Sequence, residues 1–152
     1  MSKLESMRPA PLAIAARILL VPYGIALVLI VGLPADAASR VTGIVFRIAR
    51  FVSGRFDISL TTTYTVFEFA ANVALFVPFG LLVAAAWPRT NAWWVILLGF
   101  SASAAIELVQ TMVPGRVTTL SDVIANTLGT IIGCCALRLF APRTSSTRPA
   151  TA

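Results

Sequence analysis

The chain has 152 residues, 58% of them hydrophobic and only 12% charged, where an ordinary soluble domain carries about a quarter charged residues. With a mean hydropathy of +0.89 it lacks the charge to coat a water-facing globule, which excludes a soluble domain as its main architecture. The net charge of +6 collects at the ends of apolar segments and points to anionic lipid headgroups rather than nucleic acid. No histidine is present, which removes the commonest metal ligand and general base.

Four stretches reach the roughly 20 apolar residues that a spanning helix needs. The first runs from about Leu12 to Leu33, with Arg17 near its start, where the long side chain can snorkel to the headgroups. Lys3 and Arg8 before it and Ala35-Asp36-Ala37 after it have the parts of a secretory signal. The run is long enough to span, which favours an uncleaved anchor. Next, within Arg40 to Phe56, Val41, Ile44, Val45, Ile48, Phe51 and Val52 repeat at helical spacing, with Arg40, Arg47 and Arg50 opposite. That is the pattern of an amphipathic helix lying in the interface; a loop helix packed on the bundle is the plainer alternative.

The second span is expected over Phe69–Trp87, with Pro78 and Gly80 bending it. The third covers Ala92 to Val113 and the fourth Ser121 to about Phe140, joined by the short connectors Pro88–Asn91 and Pro114–Leu120. Cys134 and Cys135 read as small packing residues in the last span. Residues 142–152 are Ser, Thr, Pro and Arg with nothing to bury, and read as a disordered tail. The expected fold is all-α: a polytopic membrane protein, residues 1–141 forming one domain, with a four-transmembrane-helix bundle and an interfacial amphipathic helix between the first and second spans. Lys3, Arg8, Arg17, Arg89, Arg138, Arg143 and Arg148 fall on one side, against Arg40, Arg47, Arg50, Arg55 and Arg116 on the other. The bias places both termini in the cytoplasm.

The informative residues are polar groups inside apolar segments, where an ionised side chain costs about 3 kcal/mol at the bilayer centre. Gly99, Ser103, Glu107 and Gln110 share one stripe of the third span, and Asp122, Asn126, Gly129 and Gly133 share one of the fourth. Gly129-x-x-x-Gly133 is a small-residue surface that admits a close neighbour. Glu68 and Asn72 form a pair at the expected start of the second span. In an antiparallel set these three ends lie on one side of the membrane, together with Arg116. Structural readings compete. Thr65–Glu68 has the form of a capping box, as has Thr119–Asp122; Asn72 and Asn126 suit interhelical hydrogen bonding; an Arg116–Glu107 pair would only hold helices together.

Asn72-Val-Ala-Leu-Phe-Val-Pro78-Phe-Gly80, Ser103-Ala-Ala-Ile-Glu107-Leu-Val-Gln110, Gly115-Arg116 and Asp122-Val-Ile-Ala-Asn126-Thr-Leu-Gly129-Thr-Ile-Ile-Gly133 resemble, in this order, the VanZ-like membrane proteins. The resemblance covers about half of the chain. Thr119 stands where many members have an acidic residue three after the arginine, which weakens a mechanism needing two carboxylates in that connector. The resemblance implies a small multi-span protein of the bacterial plasma membrane, with a link to teicoplanin resistance through the family's namesake.

Three functions are then in play. A binding or protective protein of the cell envelope would use Asn72, Ser103, Glu107, Gln110, Arg116, Asp122 and Asn126 to hold the polar part of a lipid-linked peptidoglycan precursor, with Glu68, Pro78, Gly80, Gly129 and Gly133 as structural residues. An intramembrane enzyme acting on a lipid-linked substrate would use Glu107 as general base, although Ser103 has no base near it in sequence. A proton-coupled transporter ranks third. No cofactor is expected; Mg or Ca is the metal that carboxylates and amides would suit. Membrane lipids are the expected partners, and the balance leans to a binding protein rather than an enzyme.

Overall fold

The apolar run places the second span only from residue 69, after the polar, β-branched Thr61, Thr62, Thr63 and Thr65. The computed structural model, which describes residues 11–32, 35–112 and 119–140 and side chains outside 31–42, starts that helix nine residues earlier, at Leu60. The threonines are accommodated by bonding back along the helix: the Thr63 hydroxyl donates to the Ser59 carbonyl at 3.0 Å and that of Thr65 to the Thr61 carbonyl at 3.1 Å. Glu68 therefore lies inside the helix, and the proposed Thr65–Glu68 capping box does not exist.

In chain order the helices are α1 (Pro11–Gly32), α2 (Ala35–Phe56), α3 (Leu60–Ala86), α4 (Ala92–Gln110) and α5 (Leu120–Phe140). All but α2 are long and apolar enough to cross a membrane, and the chain is an all-helical, multi-pass membrane protein. At ~1.5 Å per residue α3 is about 40 Å long, some 10 Å more than the hydrocarbon core. Its N-terminal turns stand beside α2. The third span ends at Gln110 rather than Val113, where the Thr111 N–H turns back to the Glu107 and Val109 carbonyls. Lys3, Arg8, Arg116 and the tail 142–152 lie outside the described residues, as do the side chains of Ala35-Asp36-Ala37, Arg40 and Val41.

The α2–α3 corner is closed by backbone geometry. Asp57 takes a left-handed conformation with φ 54°, and the Ile58 N–H reaches the Ser53 carbonyl at 3.3 Å, the six-to-one bond of a Schellman ending. The apolar side of α2 then divides. Ala49 is buried and Val45 and Val52 half-buried, while the Phe46 ring meets Tyr64 of α3 edge-on at 6.0 Å. Ile44, Ile48 and Phe51 stay exposed, Phe51 at 74%, beside the exposed Arg47 and Arg50. Such a helix, one edge on the bundle and one apolar edge outward next to guanidiniums, fits the headgroup layer.

The core is the pairing of α3 with α5, the most extensive in the molecule. The two run parallel, with α4 antiparallel to both. Glycine makes the approach feasible: a Cβ on Gly80 would strike the Thr130 backbone, one on Gly129 the Val73 carbonyl, and one on Gly133 the Val77 carbonyl and, at 2.7 Å, the Leu81 amide nitrogen. Around this seam Val83, Ala84, Val95 and Cys134 form a buried cluster against Leu20, Phe79 and Leu137, while Cys135 faces outward. Helix α1 attaches to α3 by polar ties. The Tyr23 hydroxyl donates to the Leu75 carbonyl, next to the Ala74 carbonyl that Pro78 leaves without its helical donor. Arg17 Nε donates to the Ala86 carbonyl at 3.1 Å and its guanidinium lies 5.6 Å from the Trp87 ring centre, a cation at the negative end of α3.

Because backbone atoms cannot yield as a side chain can, Gly133→Ala is expected to destabilise the bundle by about 1–3 kcal/mol. Gly24→Ala, with nothing within 4 Å of the new Cβ, is expected to leave stability unchanged or slightly raised. Unfolding in mixed micelles of increasing sodium dodecyl sulfate reads both.

Candidate functional site

Close approach of α3 and α5 sets Asn72 opposite Asp122, and the Asn72 amide donates to Asp122 Oδ1 at 2.7 Å. The Asp122 oxygen is engaged across helices, in addition to the backbone turn from its N–H to the Thr119 carbonyl at 3.0 Å. Helix α4 packs on the other side of α5. A Cβ on Gly99 would run into the Thr130 side chain, and one turn further on Asn126 donates from Nδ2 to Ser103 Oγ at 2.8 Å. Ser103 is fully buried and Asn126 only 5% exposed. Thr130, also fully buried, returns its hydroxyl to the Asn126 carbonyl at 3.0 Å and fills the space that Gly80 and Gly99 leave.

These contacts fix the register of α4 on α5. Gly99 meets Thr130 and Ser103 meets Asn126; the next antiparallel step sets Glu107 level with Asp122. Glu107 and Gln110 are half-buried on that stripe, and Glu107 Oε2 is enclosed by protein. Since α4 ends at Gln110 rather than Val113, Glu107 lies about 5 Å from the helix end, closer to the headgroups than the longer expected span would place it. Two polar rungs result, Asn72–Asp122 and Ser103–Asn126, with Glu107 level with the first, all toward the membrane face shared by the start of α5 and the end of α4.

Glu68 is exposed on α3, where the Tyr64 hydroxyl lies 3.4 Å from Oε1. Arg116 lies outside the described residues. Pro78 is inside the helix and exposed. Thr130 was not singled out from the sequence; its place between Gly129 and Gly133, on a stripe one residue over, was the available signal. Among the described residues no three acidic or cysteine side chains gather as a metal site.

Chemically, the first rung joins an amide to a carboxylate and the second an amide to a hydroxyl. A carboxylate accepts from hydroxyl and N–H donors, and an amide both donates and accepts. Asn126 Oδ1 is buried and accepts no hydrogen bond among the described residues. A buried acceptor in that state costs about 1–3 kcal/mol unless a donor reaches it.

The family described as VanZ/LLP1 has a model that matches residues 20–141. Neither a curated protein nor a solved structure matches the chain.

If the Asn72–Asp122 bond holds α3 against α5, a double-mutant cycle of Asn72→Ala and Asp122→Ala will show a coupling of about 0.6–1.7 kcal/mol. Additive losses would show the bond to be energetically idle. The detergent unfolding transition supplies the readout.

Proposed function

The chain belongs to the VanZ family, and from that premise we propose that it binds the polar portion of a lipid-linked cell-wall precursor in the bacterial plasma membrane. The observation that carries the reading is the pair of cross-helix rungs, Asn72–Asp122 and Ser103–Asn126, at one end of a bundle whose spans are otherwise mostly apolar. Polar residues within a membrane are costly and mark binding paths, and hydrogen bonds buried between helices are worth only about 0.6 kcal/mol each on average. Stability alone is a weak reason to keep two asparagines, a serine and two carboxylates together.

In this reading Glu107 and Asp122 accept from the hydroxyl and N–H groups of the headgroup sugar or peptide. Asn72, Gln110 and Asn126 give directional bonds, and Arg116 takes phosphate or carboxylate as a fork. The charge bias of the connecting segments puts the rungs at the outer leaflet and both termini in the cytoplasm. Occupying such a precursor where glycopeptides meet it would lower susceptibility to teicoplanin-type antibiotics.

The test is purification of the full chain in mild detergent, followed by identification of the lipid-linked molecules that accompany it. Wild type is expected to carry the wall precursor. Glu107→Gln, which keeps volume, is expected to carry about tenfold less, the loss of roughly one bond to a charged group, with unchanged membrane level and unfolding. A wild type without the precursor, or a variant that retains it, overturns the proposal. Turnover of the precursor by wild type alone would instead make the chain an intramembrane enzyme.

A further inference from the structure

The opposite end of the bundle carries a second feature. Val83 and Val95 floor a groove of about 500 Å³ between α3 and α4, walled by Trp87, Trp94 and Leu98 and reaching Ser101. That volume is in the range of small-ligand pockets, about 300–1,000 Å³. From Thr90 in the α3–α4 turn to Ser101 the groove descends about 15 Å, the depth of one leaflet of a hydrocarbon core about 30 Å thick. Its walls open sideways to lipid: Trp87 is 43% and Trp94 65% exposed.

Cations stand at its mouth. Arg17 lies over Trp87, and Arg138 Nη2 donates to the Thr90 carbonyl at 2.7 Å, so each guanidinium touches a residue of the groove. Arg89 is exposed in the same turn. A guanidinium has five N–H donors, and one carbonyl bond leaves most of the fork for phosphate. Among the described residues no acidic residue lies at this end: Asp36, Asp57, Glu68, Glu107 and Asp122 all belong to the other. A second copy of the chain is a poor occupant, since pairing would bring three like charges against three.

We propose that this groove holds an acyl chain of an anionic phospholipid, whose phosphate is taken by the guanidiniums at its mouth. The site stands apart from the polar rungs and depends on no reading of them. Lipid here fills the gap between α3 and α4 and joins the α3–α4 turn to the end of α5 through Arg138.

All three tryptophans, Trp87, Trp93 and Trp94, lie at this end, so intrinsic fluorescence reports on it alone. The full chain is reconstituted in phosphatidylcholine vesicles containing either brominated phosphatidylglycerol or brominated phosphatidylcholine. Quenching is expected to give an association about fivefold stronger for the anionic lipid, as one engaged basic group provides. Arg138→Gln brings the ratio toward parity and Arg138→Lys restores it. Ser101→Phe, which fills the deep end of an outward-facing groove, lowers quenching by both lipids without shifting the unfolding transition. Equal quenching by the two lipids in wild type, or a preference that survives Arg138→Gln combined with Arg89→Gln and Arg17→Gln, overturns the proposal. Tryptophans shielded from both lipids would also overturn it, assigning the groove to a second copy or to another segment of this chain.

Discussion

Everything in this molecule rests on two backbones lying side by side without side chains between them. In lipid, apolar side chains gain nothing by leaving one apolar medium for another, so helices are held by close packing and by polar bonds that lipid cannot offer. Gly80, Gly129 and Gly133 let α3 and α5 approach until carbonyl oxygens of one helix lie where a Cβ of the other would be. That distance brings the Asn72 amide within 2.7 Å of Asp122. A wider seam would leave both groups to seek water or lipid headgroups separately. The polar site is thus a product of the glycine seam.

The three helices around the site divide the work. The α3–α5 pair supplies the fixed wall, and α4 closes onto it through a smaller surface, Gly99 on Thr130 and Ser103 on Asn126. Helix α1 sits behind α3 and is tied to it at two carbonyls, Leu75 and Ala86. Among its described side chains, helix α2 contributes none to the rungs. It braces the overhanging start of α3 through the closed corner at Asp57 and the contact of Phe46 with Tyr64.

Most of this architecture was legible because the bilayer leaves few alternatives. Apolar length reported the spans, and spacings of three and four put Ser103 with Glu107 and Asn126 with Gly129 on shared stripes. The start of α3 was not legible. The threonines before residue 69 fall outside the apolar run that marked the span, and the helix takes them in with the hydroxyls of Thr63 and Thr65 bonded to the preceding turn. Partners were legible only as sets. Spacing assigns Asn72, Asp122, Ser103 and Asn126 to one side of the membrane, but which amide meets which oxygen depends on the offsets of α3 and α4 against α5, and no single-helix pattern encodes an offset between two helices. Arg17 was legible as a cation near the end of its span, but its bond to the carbonyl end of another helix was not, because that depends on a neighbour nearly seventy residues away.

Parallel neighbours in a membrane cannot be consecutive segments, because the chain must cross back between them. The seam of α3 and α5 therefore cannot begin to form until the last segment has left the ribosome and entered the bilayer. Until then the glycine face of α3 and its Asn72 amide are lined by lipid or by whatever helix arrives first. The order of synthesis, α4 before α5, offers α4 that place. If α4 takes that place first, α5 must displace it to reach α3, and a nascent chain halted before residue 120 lacks the helix against which α3 packs most extensively.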